Sequence, residues 1–124
     1  MRMFKITVTA IILISMVAGC GGKQTPATAA RERLRMEGLK LTTLDGCDQC
    51  HKETGYVLGP SWREVAQRYK DNPKAKQILI DSIKNGSSGK WARITGGNSM
   101  PALWARVSDE DIDVIVRYIL SLSR

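Results

Sequence analysis

The chain has 124 residues, room for one domain. Its formal net charge is +7, from 19 Lys and Arg against 12 Asp and Glu, yet no run of five or six like charges occurs. That pattern excludes a nucleic-acid-binding tail or module, and leaves a mild basic excess that suits an acidic partner surface, anionic headgroups or a plain solvated face.

Arg2 and Lys5 precede an uncharged apolar run from Ile6 to Val17, which closes on Val17-Ala18-Gly19-Cys20. Positive, apolar and small-residue zones in that order make a secretory leader, and the run is short for a membrane span. The cysteine at the cleavage point resembles the end of a bacterial lipoprotein signal. On that reading residues 1–19 are a signal peptide and Cys20 becomes the acylated first residue. The expectation is an exported chain, anchored by lipid on the periplasmic or cell-surface side of a membrane. Without Arg2 and Lys5 the balance is 17 against 12, or +5. Gly21 to Thr28 is small and polar, so residues 20–33 read as a flexible tether and 34–124 as the domain.

Ala29 to Leu44 is rich in helix formers, with Leu34, Leu41 and Leu44 at roughly helical spacing and Gly38 interrupting. A helix is expected over Ser61 to Lys70, opened by a Ser61/Glu64 capping box and carrying Trp62, Val65, Ala66 and Tyr69 on one face. Asn72-Pro73 suits the start of the next helix, which buries Ile78, Leu79 and Ile83 and stops at Gly86. Gly86 to Leu103 reads as loop. Ser108 caps a last helix with Asp109, Glu110 and Asp111 in its first turn and the stripe Ile112, Ile115, Val116, Ile119, Leu120. The expected fold is all-α, about four helices. So small a core commonly needs a staple, and the long Gly-rich loop makes sense if it wraps a cofactor.

Cys47-Asp48-Gln49-Cys50-His51 is a C-x-x-C-H motif. It reads as a covalent c-type haem attachment, with two thioether links through Cys47 and Cys50 and His51 placed beneath the iron. A thioredoxin-like C-x-x-C would need a βαβ setting, which is missing. Structural zinc sites use four ligands, and adjacent Cys50 and His51 suit a tetrahedron poorly. A plain disulfide leaves the histidine unexplained.

His51 is the only histidine, so a second ligand to the iron must be of another type. Of the five methionines, Met1, Met3 and Met16 belong to the leader, and Met36 lies on the cysteine side of the motif. Met100 lies in the glycine-rich loop, with Gly96 and Gly97 giving freedom before it and Pro101 stiffness after it. Met100 is therefore expected as sixth ligand, as in methionine-ligated cytochromes. Pro60 lies nine residues after His51, and its carbonyl could accept the free imidazole N–H. An ordinary turn proline is the equal alternative.

These residues make the chain resemble the short bacterial class I cytochromes c over about Leu41 to Ser123. The resemblance rests on Cys47, Cys50 and His51, Gly59-Pro60, the Ile83-Lys84-Asn85-Gly86-Ser87 turn, Trp91, and Met100-Pro101. It implies one haem c, a Pro60 carbonyl orienting His51, a Trp91 contact to a haem propionate, and a last helix crossing the first with an aromatic at Tyr118. It also implies redox partners, such as a terminal oxidase or a nitrite reductase, and a monomeric carrier with no catalysis. The sequence departs from the pattern at Thr95 to Ser99, which looks inserted. Leu103 stands for an asparagine, and Ser82 for a basic propionate partner that Lys84 or Arg93 would replace. Lys52, Lys90 and Arg93 are candidates for steering an acidic partner. Two alternatives remain open: a haem sensor or ligand binder with Met100 off the iron, and a fixed redox subunit of an oxidase or reductase.

Overall fold

A computed structural model describes residues 24–123. The expected leader and Cys20 lie outside the described residues.

Helix α1 spans Pro26–Leu44. The Thr25 hydroxyl accepts the Thr28 N–H at 3.2 Å and Pro26 occupies the first turn, a normal helix opening. Ala27, Ala29, Ala30 and Arg31 then favour helix. The helix thus begins inside the stretch expected to be tether, because composition outweighed the Thr25-Pro26 start signal. Nor does Gly38 interrupt it. Gly38 is buried at the crossing with the last helix, where an added Cβ would overlap Cβ and Cγ of Tyr118. Gly46, at φ 72°, turns the chain into a single 3-10 turn at Cys47–Gln49.

Helix α2 is Trp62–Tyr69, opened by the complete capping box of Ser61 and Glu64. Helix α3 is Ala75–Asn85. It starts later than Asn72-Pro73 suggests, because the Asn72 side chain accepts the Lys74 N–H at 2.9 Å and closes a turn of its own. Ile78, expected in the core, is only half-buried. Helix α4, Ala92–Thr95, is a single turn inside the expected loop. It makes five α-helices among the described residues instead of about four; one turn is too short to leave a periodic signal. Helix α5, Asp109–Ser121, has the Ser108 hydroxyl accepting the Asp111 N–H at 3.1 Å.

The fold is all-α, and the one β-type pairing among the described residues is the bridge between Ser87 and Met100. Helix α5 is the hub, packed by α1, α2 and α3. Ile112, Val116 and Tyr118 are fully buried, and Trp62 meets Tyr118 edge-on at 5.8 Å and 71°. Glu53 ties these helices together. It accepts from Arg35 of α1 and Arg63 of α2 at 3.0 Å each, and from the Tyr118 hydroxyl at 3.2 Å. Burial raises the Glu53 carboxyl, but the hydrogen bonds from Arg63, Arg35 and Tyr118 outweigh it and hold the group below its ordinary value. Burial, and then the Glu53 charge, push the Tyr118 phenol up. None of the helices described is long and apolar enough to cross a membrane.

Candidate functional site

The residues after the motif are fastened to the start of α2. A helix leaves its first N–H groups without intrahelical partners. Here Trp62 and Arg63 donate theirs to the carbonyls of Lys52 and Glu53, at 2.9 and 3.2 Å. The loop in between folds back so that Gly59 donates to the Cys50 carbonyl at 2.8 Å. This brings Gly59-Pro60 against the His51 ring. His51 Nδ1 lies 2.7 Å from the Pro60 carbonyl oxygen. A carbonyl only accepts, so Nδ1 donates to it, and Nε2 is the ring nitrogen left for a metal. Gly59 is required by the same contact, since an added Cβ would overlap the imidazole.

The Met100 loop is welded to the end of α3. Ser87 and Met100 exchange two backbone hydrogen bonds, at 3.0 and 2.8 Å. Just beyond, Leu103 and Trp104 donate to the carbonyls of Ile83 and Lys84 at 3.0 and 3.3 Å, satisfying the helix's last acceptors. Gly86 permits this approach. Its φ is 80°, and a Cβ there would come within 2.7 Å of the Met100 carbonyl.

Between these two walls lies a cavity of about 360 Å³. Cys47, Cys50, His51, Gly59 and Pro60 line one part; Ser87, Trp91, Met100 and Pro101 line another; Val65, Leu79, Ile83, Ile115 and Ile119 supply apolar walls. The candidate cofactor residues Cys47, Cys50, His51, Pro60, Trp91 and Met100 therefore share one cavity. A flat apolar group bonded at two cysteines suits this lining, with the His51 ring nitrogen and the Met100 thioether as the available iron donors.

The rival readings lose ground here. Burial, and then the Asp45 charge, push the Cys47 thiol up to about 11. A redox-active C-x-x-C needs the opposite shift. No three His, Cys, Asp or Glu side chains among the described residues converge as a chelate.

Two cations stand near Trp91: Arg68, which sequence reasoning missed, and Lys90, which it offered only for steering a partner. The Arg68 guanidinium lies 4.4 Å from the Trp91 ring centroid and donates to the Lys90 carbonyl at 2.6 Å. Lys90 lines the cavity and its Nζ lies 3.3 Å from the Ser82 hydroxyl. By contrast Lys84 is paired with Asp109 at 2.8 Å, and neither Lys84 nor Arg93 lines the cavity. Arg68 is 23 residues from Trp91 in sequence, so only the packing of α2 beside the loop joins them.

The cytochrome c family model matches residues 36–123. The chain is 33% identical over 81 residues to cytochrome c2 of Rubrivivax gelatinosus, covering 65% of this chain and 92% of that protein. It is 33% identical over 111 residues to cytochrome c-551 of Stutzerimonas stutzeri, covering 90% and 96%. The crystal structure of wild-type Nitrosomonas europaea cytochrome c552 superposes with a TM-score of 0.62 at 34% identity, over 68% of this chain and 99% of that one.

Proposed function

This chain belongs to the cytochrome c family, a monohaem class I electron carrier and not an enzyme, and from that premise we propose that it works outside the cytoplasm, held to a membrane through acylated Cys20, with His51 and Met100 as the residues that would bind the haem iron. Its haem c, held through Cys47 and Cys50, supplies a one-electron couple when bound. The observation that carries the ligand assignment is the cavity itself, which gathers the motif and Met100 from opposite ends of the domain sequence. The other described methionine, Met36, is exposed on α1 and does not line it.

Each residue has a role in keeping the couple fast. The Pro60 carbonyl fixes the His51 tautomer and ring angle, so neither has to change with oxidation state. The Ser87–Met100 bridge holds the methionine backbone against α3. His51 and Met100 would hold the iron, and the group would supply electron transfer and no substrate chemistry. The apolar walls would exclude water and favour its less charged, reduced state. Trp91 and Lys90 are proposed to meet a propionate, with Arg68 fixing the indole ring. Redox proteins are the partners; a terminal oxidase or nitrite reductase with an acidic docking face suits Lys52, Lys90 and Arg93. The leader pattern and Cys20 support export and anchoring, the anchor being tested by Cys20→Ala and membrane fractionation.

The ligand assignment is tested by absorption spectra of the oxidised and reduced protein. A ferric methionine–sulfur band and no carbon monoxide binding are expected. Met100→Ala should lose the band and bind carbon monoxide. A wild-type protein that already binds carbon monoxide overturns the assignment.

A further inference from the structure

The outer side of α1 carries a stripe that neither the core nor the cavity uses. At about 100° per residue, Arg33, Met36, Lys40 and Leu44 fall on one side, opposite Gly38 and Thr42, which are buried. All four are exposed, Met36 at 58% and Leu44 at 69%. Glu37 borders the stripe as its nearest carboxylate. No residue of α1 lines the cavity, so a surface covering this face leaves the site's walls free.

We propose that this face lies on an anionic phospholipid bilayer, Met36 and Leu44 entering the boundary of the acyl chains and Arg33 and Lys40 meeting headgroup phosphates. The inference rests on the acylation of Cys20 proposed above. Only residues 21–25 separate Cys20 from the helix, a reach of about 20 Å at most even when fully extended. The anchor therefore keeps α1 beside the bilayer, and at such an effective concentration weak contacts suffice. Alternating apolar and long basic side chains suit an interface, where stems cover apolar surface and charged heads reach outward. An acidic protein face would take Arg33 and Lys40 but leave exposed Met36 and Leu44 unexplained. Lying on this face, the helix fixes how the domain presents its cavity to partners.

The test uses the full haem-loaded, acylated protein in phosphatidylcholine vesicles with and without phosphatidylglycerol. With Cys47 and Cys50 in thioethers and Cys20 acylated, a single nitroxide is placed at Met36→Cys or Leu44→Cys, with Gln67→Cys on α2 as reference. Collisions with a water-soluble nickel complex should fall several-fold, and those with oxygen rise, at both α1 positions in anionic vesicles only. The reference should stay aqueous. Arg33→Glu with Lys40→Glu should return the α1 labels to water while the protein still sediments with the vesicles. Labels at 36 and 44 as aqueous as the reference, on a protein that sediments, overturn the lipid-facing surface and leave the anchor intact. A protein that does not sediment overturns both. Shielding that appears only when a membrane-protein fraction is added overturns the bilayer in favour of a protein partner.

Discussion

Asp45 ends α1 with its Oδ2 enclosed and, among the described residues, without a hydrogen-bond partner. Burial raises its carboxyl, the Asp111 charge raises it further, and Arg106 opposes both. A folded value above the unfolded one means the contribution is full below the unfolded pKa and is lost as pH rises through the folded pKa. At neutral pH the ionised group is therefore a weak point. Asp45→Asn is expected to stabilise the protein slightly, by a few tenths of a kcal/mol at roughly the scale of solvent-screened charges, near pH 7 and to have little effect near pH 4. Thermal unfolding at the two pH values checks it; an equal or negative effect at neutral pH contradicts the account. His51 was readable from the motif at this scale; Pro60 was an even choice from the residues and was favoured by the resemblance, and the fold adds the 2.7 Å contact, which neighbouring residues do not encode.

The contact between α1 and α5 depends on one missing side chain. Gly38→Ala removes an interior glycine, which by helix propensity alone favours the helix by about 1 kcal/mol. The added methyl meets the fully buried Tyr118, wedged between α1 and Trp62. Overpacking of this kind costs about 1–3 kcal/mol, so the net effect is expected to be destabilising. Chemical denaturation of the haem-loaded protein measures it, and an unchanged or raised midpoint refutes the crossing. Opening α1 and α5 also strains the Glu53 clamp. With its pKa lowered in the fold, Glu53 contributes stability above its unfolded value, lost as pH falls through the folded one. The helices with strong patterns, α2 and α5, were legible with their caps. Helix α4 was not, and α1 was cut short, since alanine-rich sequence without an apolar stripe reads as tether and helix alike.

For the molecule as a whole, the bound group is part of the core. Leu79, Ile83, Ile115 and Ile119 turn toward the cavity as well as toward one another. Without the group the apolar walls of this open cleft would face water, a loss that weighs heavily on a domain whose whole stability is about 5–15 kcal/mol. Cys47→Ser with Cys50→Ser, made without haem, is thus expected to keep helical circular dichroism but lose cooperative unfolding and bind a hydrophobic dye. A sharp two-state transition in that variant would show a core that closes without its cofactor.

Sequence alone determined the attachment motif, the absence of a second histidine, the caps of α2 and α5 and the apolar stripe of α5, because each is written within a few neighbouring residues. The resemblance added Trp91 and the crossing at Tyr118. Tertiary structure decided what depends on distant segments meeting. Gly38 is a crossing point and not a break. Lys84 belongs to Asp109, while Arg68 stands by Trp91. Met100 reaches the motif's cavity because the end of α3 lends its free carbonyls and one bridge to the loop. None of these has a local signal, since each is a hydrogen bond, ion pair or steric limit between residues that the chain keeps far apart.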